Sequence, residues 1–316
     1  MNAPQQLELV RVHDAAGLAL VRIRSGGDGS GSSEGATKWI PWPPSAADAS
    51  SSSSDGTEPS VELRKSDFAP DTHFQTAASA DGHPPQNVLV FLHGRGDNEA
   101  PFAKLGAQMA LPQTAVISLR APVELPFGLG NTWYNDLDDD FDVIPPHVSH
   151  TTRSERLAVA KHFVWDFLRV LHTVYGWQYE RMFLFGFSQG ACLTYHVLMT
   201  LPASIRLGGV VLVAGGYIVG PHSADYAAPS DAETPVLGVW GSNDAVYPTS
   251  LTLHTEKLFV KRYAKALFTK YIARNKSHEM IRTRDEMLQI MTFFSTHLYL
   301  KNMALEARSD LIEIKY

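Results

Sequence analysis

Met182-Phe-Leu-Phe-Gly186-Phe-Ser188-Gln-Gly190-Ala-Cys-Leu-Thr-Tyr-His196-Val-Leu198 is the stretch whose reading decides the fold. Residues 182–185 have strand character, residues 191–201 have helical character, and only a glycine–serine–glycine turn separates them. A sharp strand-to-helix turn lifts a serine clear of the sheet, and flanking glycines are needed where side chains would crowd its backbone. The helix N-terminus adds positive potential for a developing anion. The Gly-x-Ser-x-Gly pattern alone is weak: with Gly and Ser each near 7% of residues, about 0.1 chance matches are expected in such a chain. A second match, Gly31-Ser-Ser33-Glu-Gly35, has no strand before it and no helix after it. Context therefore selects Ser188 over Ser33.

Outward from the turn, apolar runs at 88–92, 115–119, 210–213, 236–240 and 267–271 read as further strands. Thr152-Arg-Ser-Glu155 has capping-box spacing and opens a helical pattern to about Tyr175. Residues 248–263 and 282–300 read as helices. Strands and helices alternate, so the fold class is α/β, with a mainly parallel central sheet covered by helices on both faces. This domain spans residues 87–305, and residues 306–316 form a C-terminal tail.

The first part of the chain differs. Residues 7–23 alternate around His13-Asp-Ala-Ala-Gly17, which predicts two short strands and a turn within an N-terminal unit, 1–24. Residues 25–86 are rich in Ser, Gly, Asp and Ala and read as a low-complexity, partly disordered insert. Within it, Trp39-Ile-Pro-Trp42-Pro-Pro44 reads as a piece docked on the core, and 69–86 as a polar connector.

The 316 residues carry a net charge of −6 with both signs dispersed, which gives no footprint for nucleic acid. No apolar stretch is long enough to span a bilayer, and the N-terminus lacks the pattern of a secretory leader. Cys192 is the only cysteine. A lone thiol suits a reducing compartment, so a cytoplasmic location is expected.

A serine needs a base, and in a strand–turn–helix arrangement of this kind the chain order is serine, acid, histidine. His278, in Arg274-Asn-Lys-Ser-His278-Glu, follows a strand and sits where ligands meet an open α/β sheet. His196, His254 and His297 fall within helical patterns; His222, in a loop, stays open as an alternative. His93 precedes the serine and reads as a loop-shaping residue. Asp244, in Gly241-Ser-Asn-Asp244, follows the strand 236–240 and is the candidate acid that would orient the imidazole. Asp225 and Asp231 compete from a polar loop. Donors for an oxyanion are expected from the N–H of Gln189 and from Arg95, in the glycine loop after strand 88–92. The Arg95 side chain is a further candidate contact for an anionic substrate.

Taken together, Leu92-His-Gly-Arg-Gly-Asp97, Gly186-Phe-Ser-Gln-Gly190, Gly241-Ser-Asn-Asp244 and Ser277-His278 resemble the phospholipase/carboxylesterase family of α/β-hydrolases, which includes the acyl-protein thioesterases. The resemblance covers roughly residues 87–300, with the motifs in the family's order. It implies the α/β-hydrolase fold and hydrolysis of carboxylic esters or thioesters through an acyl-enzyme. It implies Ser188, Asp244 and His278 as a triad, and Arg95 and Gln189 as the oxyanion hole. It also implies that Arg120-Ala-Pro122, Trp133 and Tyr134 line an acyl pocket. The partners it implies are an acyl ester or thioester on a protein, a lipid or a small molecule, with no cofactor and no stable membrane insertion. The chain departs from the family's usual pattern at Arg95, at Ala191, in the acidic run 136–142 and in the Ser-rich insert.

Four further features read as structural. The acidic run 137–142 reads as a solvated loop, since oxygen-ligand cation sites also need a turn glycine and spaced carbonyls. Pro145-Pro-His147-Val-Ser-His150 lacks the matching cluster of a zinc site. Cys192 reads as packing, and Phe127-Gly-Leu-Gly130 as a pocket wall.

Overall fold

The computed structural model describes Gln6–His13, Leu18–Arg24 and Thr37–Pro41 as backbone, and residues 62–202, 204–220 and 233–302. Ser33, Trp42, His222, Asp225, Asp231 and the tail 306–316 lie outside the described residues.

The two expected N-terminal strands are β1, Gln6–His13, and β2, Leu18–Arg24, paired antiparallel. Residues expected as a docked piece form β3, Thr37–Pro41, which pairs antiparallel with β2. Beyond them run β4, Phe74–Ala77; β5, Asn87–Leu92; α1, Glu99–Met109; β6, Thr114–Leu119; and a short ribbon of β7, Val123–Glu124, with β8, Asn131–Thr132. Then follow α2, Thr151–Thr173; β9, Met182–Phe187; α3, Gln189–Thr200; β10, Gly209–Val213; β11, Val236–Gly241; α4, Thr249–Arg262; β12, Phe268–Ala273; and α5, Arg284–His297.

The main sheet has the order β12-β11-β10-β9-β5-β6-β4. Six strands are parallel, and β4 closes one edge antiparallel to β6. The connector expected over 69–86 thus contributes an edge strand. Composition hid it: Phe74-Gln-Thr-Ala77 is too short and too polar on its exposed face to stand out. Helix α1 was also unread, since Pro101 and Gly106 interrupt its pattern.

The inner strands β5, β6, β9, β10 and β11 are largely apolar runs because both faces are covered. Every residue of β5 is buried. Val88, Val90 and Leu92 enter one core layer with Leu157, Val164 and Leu168 of α2 and Leu193 and Val197 of α3. Leu89 and Phe91 enter the other, with Phe102 of α1 and Ile290 and Phe294 of α5. Each such side chain contributes about 1.5–3 kcal/mol of burial, which fixes the register of the strands that carry the site. No helix among the described residues is long and apolar enough to cross a membrane.

Candidate active site

The turn after β9 is tight because two glycines make it so. A Cβ on Gly186 would lie 2.5 Å from Ala191 Cα, and one on Gly190 would lie 2.2 Å from the Leu92 carbonyl oxygen. Ser188 between them takes φ 51° and ψ −117°, a strained region for any residue with a side chain. The Ser188 N–H donates to Val213 O at 2.9 Å, and its carbonyl accepts from Cys192 N at 2.9 Å. Neighbouring strand and helix therefore hold the strain in place.

Ser188 Oγ is 2.7 Å from His278 Nε2, and His278 Nδ1 is 2.8 Å from Asp244 Oδ2. A buried carboxylate can only accept, so the Nδ1 proton belongs to the Asp244 contact and Nε2 is left to accept from the serine. The other Asp244 oxygen, Oδ1, accepts from the N–H groups of Val246 at 2.9 Å and Tyr247 at 2.7 Å. The Asp244 side chain has no exposed surface. The structure thus brings together Ser188, Asp244 and His278 from loops after three strands.

The acid and histidine loops are stitched to each other. Ser242 N donates to Ala273 O, Asn243 N to Lys276 O and Asn275 N to Ser242 Oγ. Two residues before His278, the buried Lys276 ammonium forms an ion pair with buried Glu286 of α5. Burial would raise the Glu286 carboxyl, but the hydrogen bonds from Lys276, Arg282 and Thr283 outweigh it and hold it at about 2. The sequence reading missed this pair. Its only trace was the spacing Thr283-x-x-Glu286, which is the reciprocal capping box of α5.

Arg95 lies in the loop after β5, and its N–H makes none of that loop's backbone hydrogen bonds. The Gln189 N–H is the first of α3, ahead of any intrahelical acceptor. His93 shapes the loop, as expected: Nδ1 bonds Gly94 O at 2.7 Å and Nε2 accepts from Ala121 N at 3.0 Å. Burial holds the His93 imidazole below its ordinary value, so it stays neutral.

The side chains of Arg95 and Gln189 make contacts the sequence did not reveal. The Arg95 side chain, a candidate contact for an anionic substrate, also has an internal partner: Nε lies 2.8 Å from Asp136 Oδ1, as an ion pair off the line of a hydrogen bond. Gln189 is buried. Its Oε1 accepts from Thr132 Oγ1 at 3.0 Å and Trp133 N at 2.9 Å, and its Nε2 donates to Tyr134 O at 3.0 Å and Asp136 Oδ2 at 3.2 Å. Burial raises the Asp136 carboxyl above the ordinary range, against the opposing pull of Arg95 and Gln189.

The residues expected to line an acyl pocket are divided. Trp133 and Tyr134 are 2% and 3% exposed and belong to the core. Trp133 Nε1 donates to His93 O at 2.7 Å, a scaffold contact behind the glycine loop. Pro122 is exposed at the start of the β7–β8 ribbon, and the Arg120 guanidinium forks onto Glu99 at 2.6 Å. Phe127, 98% exposed, sits at the ribbon's tip. Gly96 N to Asn131 O and Asn131 N to Asp97 O tie the ribbon to the Arg95 loop.

Among the other candidates, His196 is buried and accepts from Ile218 N, and His254 lies exposed on α4. His150 is the N-cap of α2, accepting from Arg153 N. The acidic run folds on itself: Asp138 Oδ1 accepts from Asp140 N and Asp142 N. The described residues contain no cluster of three or more His, Cys, Asp or Glu positioned to hold a metal ion.

A family model described as phospholipase/carboxylesterase matches residues 74–298. An uncharacterised hydrolase of Mycosarcoma maydis is 29% identical over 229 residues, 71% of this chain and 79% of that protein. Acyl-protein thioesterase 1 of Kluyveromyces lactis is 24% identical over 231 residues, 70% of this chain and 96% of that protein. Among solved structures, esterase PE8 matches with a TM-score of 0.61 at 20% identity, over 72% of this chain and 100% of that one. Acyl-protein thioesterase 2 of Zea mays matches at 0.55 and 16%, over 72% and 99%. At such identities the structural likenesses speak for the fold.

Proposed function

The chain belongs to the phospholipase/carboxylesterase family of hydrolases, and from that premise we propose that it is a serine esterase or thioesterase working through an acyl-enzyme. The single observation that carries the reading is the unbroken chain Ser188 Oγ–His278 Nε2–Nδ1–Asp244 Oδ2. Ser188 Oγ attacks the acyl carbonyl carbon as His278 Nε2 takes its proton. Asp244 stabilises the imidazolium through Nδ1. The oxyanion is bound by the N–H groups of Arg95 and Gln189. Collapse expels the alcohol or thiol, which takes the proton from His278. Water then attacks the acyl-serine with the same base, releasing the carboxylic acid and restoring Ser188.

The likeness to a thioesterase over most of its length favours acyl thioesters as a substrate class alongside oxygen esters. A single cysteine, Cys192, supports a cytoplasmic location.

The test is labelling by a fluorophosphonate and turnover of p-nitrophenyl esters and acyl thioesters of increasing chain length. Ser188→Ala is expected to abolish labelling and to lower kcat by about 10⁴-fold or more. Labelling that survives in Ser188→Ala would sink the reading. An optimum in chain length would identify the acyl group.

A further inference from the structure

We propose that Asp136 is a positioning residue that clamps the two halves of the oxyanion hole. This rests on the proposed assignment of the Arg95 and Gln189 N–H groups to that hole. Those two residues come from opposite sides of the site, the loop after β5 and the first turn of α3. One carboxylate spans them: Oδ1 faces Arg95 Nε at 2.8 Å and Oδ2 accepts from Gln189 Nε2 at 3.2 Å. The remaining hydrogen bonds of the Gln189 side chain go to Thr132, Trp133 and Tyr134.

The arrangement suits a positioning role. Preorganised donors stabilise an oxyanion only if their spacing is fixed before charge develops. The backbone of the Arg95 loop is tied to Asn131 at Gly96 and Asp97, while Arg95 itself lies between two glycines, Gly94 and Gly96. Its Arg95 side chain is tethered sideways by Asp136, while Gln189 is held by four hydrogen bonds to residues 132–136. Asp136 is thus the joint between the wall that holds Gln189 and the loop that carries Arg95. A carboxylate is also required chemically, since both partners are donors and a neutral amide offers only one acceptor oxygen. Desolvation of the carboxyl is the cost of this placement, and the Arg95 guanidinium and the Gln189 amide offset it only in part.

The experiment compares Asp136→Asn with Asp140→Asn, which removes one charge from an exposed position of the same acidic run. Asp136→Asn is expected to lower kcat by about 10- to 100-fold, short of the 10²–10³ seen when an oxyanion donor is removed outright, with KM within about twofold. The inhibition constant of a trifluoromethyl ketone, which forms the tetrahedral oxyanion on the serine, should rise in parallel with the loss in kcat. Asp140→Asn should leave all three unchanged. Arg95→Met, which keeps the N–H but removes the tether, should reproduce the loss, and the Arg95→Met/Asp136→Asn double variant should be no worse than either single one. An unchanged kcat, a rise in KM alone, or additive losses would each overturn the proposal. If Asp136→Asn fails to fold, Arg95→Met and the ketone affinity decide. Failure of the serine reading shows separately, as labelling that persists in Ser188→Ala.

Discussion

Ser188 carries a left-handed backbone, φ 51°, because three neighbours leave no other course: the Val213 carbonyl, the first turn of α3 and the Leu92 carbonyl beside Gly190. Strain of this kind costs about 1–3 kcal/mol and persists only where its surroundings dictate it. Gly190→Ala puts a methyl against two backbone carbonyls, those of Leu92 and His93, which cannot move without shifting the end of β5. The variant is expected to lose about 2–3 kcal/mol of stability in a denaturant titration and most of its esterase activity. Cys192, four residues after Ser188, is the opposite case. Burial pushes its thiol up to about 12, and Gly216 N donates to its Sγ at 3.4 Å. The folded protein should therefore resist thiol reagents at neutral pH and release one equivalent of reactive thiol only on unfolding. Prompt reaction of the native protein would contradict that burial. At this scale the three residues of the proposed triad, Ser188, His278 and Asp244, were legible in residue type and chain order. Asp136 was not, because in an acidic run of Asp136, Asp138, Asp139, Asp140 and Asp142 nothing local distinguishes the carboxylate that turns inward.

Capping shows how far an element can be read. Thr152-x-x-Glu155 and Thr283-x-x-Glu286 have the same spacing, yet only the second is a capping box. Helix α2 begins at Thr151 with His150 as its N-cap. Its first turn is set instead by buried Arg153, whose guanidinium donates to the carbonyls of Ile144, Pro145, Val148 and Val219. Glu286 does more than cap α5, since its ion pair with Lys276 anchors the loop that carries His278. Its carboxyl is depressed in the folded state, from 4.5 to about 2. Its contribution to stability is therefore fully present above about pH 4.5 and is lost as pH falls toward 2. Glu286→Gln should lower stability by about 3–5 kcal/mol near neutral pH, because Lys276 is left buried without its partner. It should also flatten the fall of Tm between about pH 5 and pH 3. A Lys276→Met/Glu286→Leu double variant should recover part of the loss. An acid profile of Glu286→Gln that parallels the unmodified protein would exclude Glu286 as the titrating group.

For the whole molecule, the hydrolase unit starts well ahead of the first regular parallel strand. Leu63, Phe68 and Phe74 pack on the core, Phe68 stacks on Phe167 at 4.7 Å, and Arg64 N donates to Tyr175 Oη at 2.8 Å. We propose residue 62 as its boundary. A chain beginning at Glu62 is expected to keep the Tm and kcat of the full protein. One beginning at Asn87 removes β4, bares the edge of β6 and should aggregate. Equal behaviour of the two truncations in size-exclusion chromatography would refute this boundary. The sequence by itself determined the α/β class, the parallel sheet and the strand–turn–helix at Ser188. Those follow from local rules: apolar runs are strands buried on both faces, and two glycines around a serine after a strand permit only a sharp turn. It also pointed to Asp244 and His278, because strand ends in a parallel sheet converge on one edge. Tertiary structure alone decided that β4 closes the sheet, that Lys276 and Glu286 meet, that Trp133 and Tyr134 are buried in the core, and that Asp136 contacts both Arg95 and Gln189. Each of these is a contact between segments far apart in the chain, where neither periodicity nor spacing carries the information and packing geometry does.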